Sequence, residues 1–448
     1  MSHLHAWFSL FVALVALSSA HAQTEFAATL IQHAVLPANT FIAAPSDAPP
    51  NLKTSGKFTT GKRVQDLGSV PGLSSGRPTG VGLPFQGQPI QGHSGIRRMK
   101  DGTFWILTDN GAGTKANSVD FMLYLNHYRV DFKTNRFQRL KTIFLHDPDK
   151  KVPFHIVTEG TDKRYLTGAD FDPESFQFAD GALWIGDEFG PFLIQADLNG
   201  KVRAIYETQV DGRVVRSPDH PSLTTPGSPS DPLKFDVRRS KGFEGMAVSK
   251  DGKKLYALLE GALWDDTTQA YEMHNGQHYL RILEFDVQAK HWTGRHWLYP
   301  LEANHHAIGD FNMIDETTGL IIERDNGEGV TTHRCSQGKK PDCFHDLPKF
   351  KRVYKVEMND TNVFGLLRKA AFIDLLNIAD PHHVARKPWD QGVFKFPFFT
   401  IENVDVIDDQ HIIVGNDNNL PFSSSRQPNQ ADDNELVILF VGDFLKVN

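Results

Sequence analysis

This sequence of 448 residues lacks several features that mark particular classes of protein. Its 47 Lys and Arg residues do not outnumber its 54 Asp and Glu residues, and the net charge of −7 provides no basic excess for binding nucleic acids or anionic membranes. Helical periodicity is scarce, and only the span from Val363 to Ile378 is predicted as a helix. After the N-terminus no apolar run is long enough to cross a bilayer. We therefore expect a soluble protein built mainly of strands.

Cysteine is almost absent as well. Cys335 and Cys343 lie in a loop rich in Lys, Pro and Gly, and in an exported protein they would form a local disulfide. The alternative is a metal site of two thiolates completed by His333 and His345.

The N-terminus supports export. An apolar run from Ala6 to Leu17 precedes Ala20-His21-Ala22, which is a signal-peptidase site of the A-x-A type. A membrane anchor is the alternative, but the run is too short to span a bilayer. Residues 1–22 are therefore predicted to be a cleaved signal peptide, with residues 23–448 forming a single periplasmic or secreted domain.

What the chain does contain is one pattern repeated five times. Each copy opens on an acidic or hydroxyl residue before an apolar strand, turns, and ends a second apolar strand on an acid or amide. The copies open at Ser94, Asp170, Glu244, Asp310 and Glu402 and close at Asn110, Glu188, Glu260, Asn326 and Asp417. The spacings are 16, 18, 16, 16 and 15 residues. A regular repeat of this kind indicates a repeat architecture.

Each copy predicts an antiparallel hairpin, in which the opening and closing residues lie at the same edge. Further strand-like runs follow in most intervals, and four strands per repeat are typical of a β-propeller blade. We expect an all-β propeller of five or six blades with long insertions at residues 217–231, 332–350 and 381–391. Residues 25–70 and 435–441 would either form a sixth blade or close the fifth.

The hairpin geometry predicts a ring of oxygen ligands at one mouth of the propeller axis. Carboxylates crowded there would repel one another unless a cation neutralised them, and Ca²⁺ binds six to eight such oxygens. The alternative is that these side chains only stabilise turns. The predicted ligands are Asn110, Asp170, Glu188, Glu244, Glu260, Asp310, Asn326, Glu402 and Asp417.

Basic and imidazole side chains near the same face are candidates for binding and catalysis. Arginine forks suit phosphate and carboxylate oxygens, and His serves as a general acid or base. The predicted catalytic residues are His93, His306 and Arg324, and the predicted substrate-binding residues are Arg97, Arg239 and Lys241. Ser94 is an alternative nucleophile, although Ile96 stands where the G-x-S-x-G motif requires its last glycine.

Several ordered blocks resemble one exported bacterial family, described as phytase-like or as having esterase-like activity of phytase. The resemblance covers roughly residues 60–440 and implies hydrolysis of phosphate or carboxylic esters. The blocks are Gly92-His93-Ser94-Gly95, Thr108-Asp109-Asn110-Gly111, Tyr165 to Phe171, Trp184 to Pro191, Gly242 to Met246 and Glu323 to Gly327.

The leading hypothesis is thus an exported, metal-dependent ester hydrolase that acts on small-molecule phosphomonoesters as a monomer, with Ca²⁺ as the expected ion. A lactonase or carboxylic esterase using the same cation is one alternative. A non-catalytic propeller that binds a ligand and holds a structural calcium is another.

Overall fold

A computed structural model describes residues 23–228, 230–338, 340–387 and 393–446. Regular structure in these ranges consists of strands and four short 3-10 helices, which confirms the all-β class. The 3-10 helices are Pro50–Leu52, Thr331–His333, Asp360–Asn362 and Gly442–Leu445. None of the helices in the described ranges has the length and apolar character needed to cross a membrane. The predicted signal peptide and residues 388–391 of the third insertion lie outside the described residues.

Five strands precede the first repeat. β2 pairs with β5, and β3 pairs with β4, so these four strands form two small ladders of their own. Their bounds are β1 Thr24–Leu36, β2 Phe41–Ile42, β3 Val70–Ser74, β4 Arg77–Leu83 and β5 Gln88–Pro89.

The repeated pattern forms five antiparallel units, each beginning with the predicted hairpin. The first unit is β6 His93–Arg98, β7 Phe104–Thr108, β8 Tyr124–Asp131 and β9 Arg136–Phe144. The second is β10 Pro173–Ala179, β11 Ala182–Asp187, β12 Phe192–Ala196 and β13 Val202–Glu207, followed by the ladder of β14 Gln209–Val210 and β15 Arg213–Val214.

The third unit carries small strands inserted within it. It consists of β16 Phe243–Val248, β17 Lys254–Leu259, β18 Trp264–Asp265, β19 Ala270–Tyr271, β20 Met273–His274, β21 Gln277–Asp286 and β22 His291–Pro300. The fourth is β23 Ala307–Met313, β24 Thr318–Arg324, β25 Lys351–Glu357 and β26 Arg368–Ala379, and the fifth contains β27 Ile401–Val406, β28 His411–Asn416 and β29 Asn434–Phe440.

The first strands of the five units surround a common axis. β6 contacts β10, β10 contacts β16, β16 contacts β23, β23 contacts β27, and β27 contacts β6 again. Apolar side chains fill the spaces between neighbouring sheets; Leu107 of the first unit packs with Phe176 and Ile185 of the second, for example. This closed circuit brings the starts of all five first strands to one place.

β1 completes the fifth unit and joins it to the fourth. It pairs antiparallel with β29, where Leu36 lies opposite Asn434, and parallel with β26, where Thr24 lies opposite Ala371. The two units therefore share one eight-stranded sheet. Of the two possibilities left open by the sequence, the strands near the ends pair with the fifth unit.

The prediction of a helix from Val363 to Ile378 is wrong. Most of this span is β26, and it has neighbours on both edges, β25 and β1. Apolar residues on both faces are buried there, including Phe372, Ile373 and Leu375, so the apolar run reflects a strand covered on both sides.

The predicted disulfide is present in the second insertion. Cys335 is bonded to Cys343, and the backbone N–H of Cys335 donates to the carbonyl of Phe344 at 2.9 Å. Phe344 is fully buried and anchors this loop to the body of the protein.

Candidate functional site

A register shift near the start of each first strand positions the functional side chains. The ladder between the first and second strands is interrupted just after its first pair in four units, and after its second pair, Ile308 with Glu323, in the fourth unit. Such a bulge bends the strand and redirects a side chain. On the first strands, the residues that follow the last pair before the interruption are Ser94, Glu174, Glu244, Gly309 and Glu402. On the second strands, they are Asp109, Glu188, Glu260, Arg324 and Asp417.

Eight carboxylates gather at this level of the axis, and we call them the acidic ring. They come from four of the five units, and charge repulsion between each of them and at least one other raises a pKa. The acidic ring comprises Asp109, Asp172, Glu174, Glu188, Glu244, Glu260, Glu402 and Asp417. Six are buried, and Asp109 and Glu174 are partly buried.

Two groups of three within the acidic ring are close enough to share a cation. One oxygen from each of Asp109, Asp172 and Glu174 lies within 4.8 Å of the other two. The same holds for Glu188, Glu244 and Glu260. Glu402 adjoins both groups and accepts a hydrogen bond from the Ser94 hydroxyl at 3.2 Å.

The electrostatics oppose ionisation of the whole set. Burial is the largest cause and raises the pKa of Asp172, Glu174, Glu188, Glu244 and Asp417 well above the usual value. The neighbouring carboxylates raise these pKa values further. Burial also raises the pKa of Glu402 to about 7, although the Arg324 guanidinium opposes that rise. Without counter-charge, some of these carboxyls hold protons at neutral pH.

Two cations border the acidic ring. The Lys241 ammonium contacts Glu260, and although burial disfavours its charge, Glu260 and Glu188 outweigh that effect and raise its pKa. Arg324 occupies the position that the other four units fill with an acid. Its Nη2 lies 3.9 Å from Glu402, and its guanidinium carbon lies 5.3 Å from the centre of the Phe399 ring. The eight carboxylates of the acidic ring therefore outnumber the two positive side chains that border it.

Several buried polar atoms at this site have no partner among the described residues. They include Asp172 Oδ1, Glu188 Oε1 and Arg324 Nε. A buried polar atom without a hydrogen bond destabilises the fold by about 1–3 kcal/mol, and a charged group by more. Unpartnered carboxylate oxygens amid other carboxylates are suited to a divalent cation, and an unpartnered guanidinium N–H is suited to an anion.

The structure brings seven of the predicted site residues together. Five belong to the predicted metal ligands, and the other two are Arg324 and Lys241. The five are Glu188, Glu244, Glu260, Glu402 and Asp417.

The other four predicted ligands, Asn110, Asp170, Asp310 and Asn326, make contacts outside the acidic ring. Asp170 accepts hydrogen bonds from the N–H groups of Val157 and Thr167, both at 2.8 Å, and so holds a loop in place. Asn110 exchanges hydrogen bonds with the backbone of Gly113. Asn326 is exposed and accepts from Arg324 at 2.8 Å.

Asp310 lies one residue beyond the bulge position, and it points to a different level of the axis. Its carboxylate accepts from the N–H groups of Phe311 at 2.8 Å and Val404 at 3.1 Å, and burial raises its pKa to about 7. Gly309 holds the equivalent ring position, where a Cβ would lie only 2.1 Å from the carbonyl oxygen of Ile401. The fourth unit therefore contributes no carboxylate at the start of its first strand.

The two predicted catalytic histidines lie outside the acidic ring. The His93 imidazole is buried beside Tyr128, neither of its nitrogens has a partner among the described residues, and burial lowers its pKa to about 3. His306 contacts Glu323 at 2.8 Å and packs on Phe350, with ring centres 4.2 Å apart.

The remaining predicted binding residues face elsewhere. Arg97 is bonded to Asp405 and Asn312, both at 3.1 Å, further along the first strands. Arg239 is exposed and pairs with Asp219 at 3.1 Å.

Three ring residues escape the sequence pattern: Asp109, Asp172 and Glu174. The spacing of 18 residues in the second copy is the signal that could have revealed one of them. Placing its opening residue at Glu174 rather than Asp170 aligns it with Glu244 and Glu402 at the bulge.

Comparison with known proteins gives a family. A model of the phytase-like family, described as esterase-like activity of phytase, matches residues 88–420. A stretch of 116 residues is 33% identical to an uncharacterized secreted protein of Arthroderma benhamiae, covering 24% of this chain and only 22% of that protein.

Solved structures of similar shape are distant. The periplasmic gluconolactonase of Pseudomonas aeruginosa is 11% identical, with a TM-score of 0.31, over 87% of this chain and 98% of that chain. A luciferin-regenerating enzyme is 9% identical, with a TM-score of 0.34, over 80% and 97%. Likeness at this level does not bear on function. The family match, by contrast, spans well over half of the 448 residues, and the chain therefore belongs to the phytase-like family.

Proposed function

We propose that this protein is an exported, metal-dependent ester hydrolase that acts on phosphomonoesters at the acidic ring. In this proposal the five units are the blades of a β-propeller, and the acidic ring lies at one mouth of its axis. The observation that carries the proposal is a pair of buried carboxylate oxygens, Asp172 Oδ1 and Glu188 Oε1, that have no partner in the described structure. Each belongs to one of the two carboxylate triads.

The residues present fit a hard divalent cation such as Ca²⁺. Asp109, Asp172 and Glu174 would hold one ion, and Glu188, Glu244 and Glu260 would hold another, since all offer the carboxylate oxygens that Ca²⁺ prefers. When bound, such an ion polarises a phosphoryl or acyl oxygen and lowers the pKa of an attached water molecule.

The chain's own cations would bind and orient the substrate. Arg324 is buried among carboxylates, yet its Nε is unpartnered and its Nη2 stays 3.9 Å from Glu402, so it retains N–H donors for an anion. A guanidinium presents paired donors that match phosphate oxygens. Arg324 would therefore fix the phosphoryl group against the acidic ring.

Export is supported by three independent features. The N-terminal apolar run is followed by an A-x-A site, Cys335 and Cys343 form a disulfide, and the fungal protein with 33% identity over part of its length is described as secreted.

The test is a hydrolysis panel with the mature protein. The substrates are a phosphomonoester, inositol hexakisphosphate, a short acyl ester and a lactone, each assayed as purified, after chelation, and after Ca²⁺ is restored. We expect phosphate release that disappears with chelator and returns with Ca²⁺. Turnover of only the acyl ester or lactone would replace phosphomonoesters by carboxylic esters as the substrate class. Inactivity on all four, together with a calcium-dependent rise in Tm, would overturn hydrolysis and leave a binding protein with structural calcium.

A further inference from the structure

A groove of about 920 Å³ lies beside the third unit. One wall is formed by residues 223–226 and 231–236, and the other is the hairpin of β18 and β19. The walls are tied together, since the N–H of Trp264 donates to the carbonyl of Asp236 at 2.7 Å. The groove is therefore part of the folded third unit.

The lining of the groove is largely apolar and carries no excess of positive charge. Its apolar side chains include Leu223, Leu233, Phe235 and Trp264, and Leu233 is 39% exposed. Its charged side chains are three acids and two bases, Asp231, Asp236, Asp266, Arg216 and Lys234. Such a surface favours an alkyl or aryl group over a polyanion.

A smaller cavity of about 80 Å³ shares lining residues with both the groove and the site at the axis. Tyr271 lines both spaces, and the Arg238 guanidinium lies 4.1 Å from the centre of its ring. The smaller cavity is bordered by Lys241 and Glu260, which also belong to the site at the axis. These shared residues place the groove next to the site, with Tyr271 at the junction.

We propose that this groove holds the apolar group of the substrate, so that the preferred substrates are amphipathic esters with an alkyl or aryl body. This inference rests on the proposed hydrolysis at the acidic ring. It distinguishes such esters from a fully polar compound such as inositol hexakisphosphate, which has no apolar part to place between Leu233 and Trp264.

The experiment compares propyl phosphate with octyl phosphate in the presence of Ca²⁺. The two esters have leaving groups of nearly equal pKa, so they differ mainly in apolar length. Each methylene removed from water strengthens binding about fourfold, and burying two or more of the five extra methylenes should lower KM at least about tenfold. We expect Trp264→Ala and Leu233→Ala to reduce this advantage to about threefold or less.

Leu198→Ala is the matched control, because Leu198 is an exposed leucine of the second unit with 45% exposure and does not line the groove. It should keep the wild-type ratio of KM values. Equal KM values for propyl and octyl phosphate in the wild type, with both esters hydrolysed, would overturn the proposed role of the groove. They would leave the proposed hydrolysis of phosphomonoesters standing.

A binding measurement separates the two proposals when turnover fails. Calorimetry measures the affinity for propylphosphonate and octylphosphonate, which cannot be hydrolysed as esters. The difference between the two affinities reports the contribution of the groove without turnover. Tighter binding of octylphosphonate that Leu233→Ala removes, without turnover of either phosphate, would overturn phosphomonoester hydrolysis and support the groove. If neither ester is hydrolysed and binding does not depend on chain length, both proposals are overturned.

Discussion

Two buried glutamates, Glu435 and Glu188, show how differently one fold treats the same side chain. Glu435 lies between Arg426 and His33, with Arg426 Nε at 3.1 Å and His33 Nε2 at 3.0 Å. Burial opposes its ionisation, but Arg426 and His33 outweigh burial and lower its pKa to about 2. Glu188 is buried to a similar degree among carboxylates, and its pKa is raised well above the usual value. The first carboxylate has its counter-charges within the fold, whereas the second lies among like charges that Lys241 opposes only in part.

The largest effect that tests this contrast is expected when one carboxylate of the acidic ring is neutralised. Glu244→Gln removes a proposed ligand from the second triad, and we expect calcium-dependent kcat/KM for a phosphomonoester to fall by about 10³-fold. The metal-free variant should unfold at a Tm no lower than that of the wild type, because one repulsive charge is gone. Circular dichroism checks the Tm.

The matched control is Glu25→Gln, an exposed glutamate of β1, which should leave both quantities unchanged. Full activity in Glu244→Gln would contradict the assignment of this carboxylate to the metal site.

The same substitution at Glu435, the glutamate paired with Arg426, should lower stability. Glu435→Gln leaves the buried Arg426 without its counter-charge, and the free energy of unfolding should fall by about 3–5 kcal/mol. Urea unfolding measures it. Glu357→Gln breaks an exposed pair with Arg368 and should lower stability by less than about 1 kcal/mol. Similar losses in the two variants would show that Glu435 is not the structural anchor inferred here.

The pH dependence of stability should reverse between the two kinds of carboxylate. The pKa of Glu402 is about 7 in the folded chain against 4.5 otherwise, so its protonation stabilises the fold fully below pH 4.5, and this stabilisation is lost as the pH rises through 7. For Glu435, whose pKa is lowered, the stabilisation is present above pH 4.5 and is lost as the pH falls through about 2. The metal-free protein should therefore gain up to about 3 kcal/mol between pH 8 and pH 5.

Ca²⁺ should suppress that gain, because the cation supplies the charge that protons otherwise provide. Tm values at pH 8 and pH 5, with chelator and with Ca²⁺, check the prediction. The same change in Tm under both conditions would count against a cation in the acidic ring.

The smallest effect is expected at an arginine that lies away from the site. Arg239→Ala removes an exposed pair with Asp219, so stability should change by less than about 0.5 kcal/mol and hydrolysis should be unaffected. Lys241→Ala, only two positions along the chain, should impair hydrolysis because it removes a cation from the acidic ring. Equal effects of the two changes on kcat/KM would contradict this distinction.

The hairpin pattern alone predicts much of the fold. Apolar runs identify the first two strands of each unit, with an Asp-Gly turn between them in the first three units. The common edge of these hairpins brings Glu188, Glu244 and Glu402 together. The span after Val363 is wrongly predicted as a helix. It forms β26, which is covered on both faces, so its sequence lacks the alternation of apolar and polar residues that marks a half-buried strand.

The exact ring positions are less predictable, because they depend on bulges. A bulge adds one residue to a strand without changing its composition, so sequence spacing locates a side chain only to within a few positions. Asn110 and Asn326 therefore miss the site while Asp109 and Arg324 occupy it, and Glu174 replaces Asp170. Nothing in the apolar pattern distinguishes these neighbours.

The pairing of β1 with β29 has a consequence for how the site comes into being. Leu36 and Asn434 lie opposite each other although almost the whole chain separates them, and contacts of such long range form late in folding. Until that ladder closes, the fifth unit, which carries Glu402 and Asp417, lacks its outer strand. We would then expect cation binding only in the completely folded protein, because the acidic ring draws on four units and β1 completes the last of them.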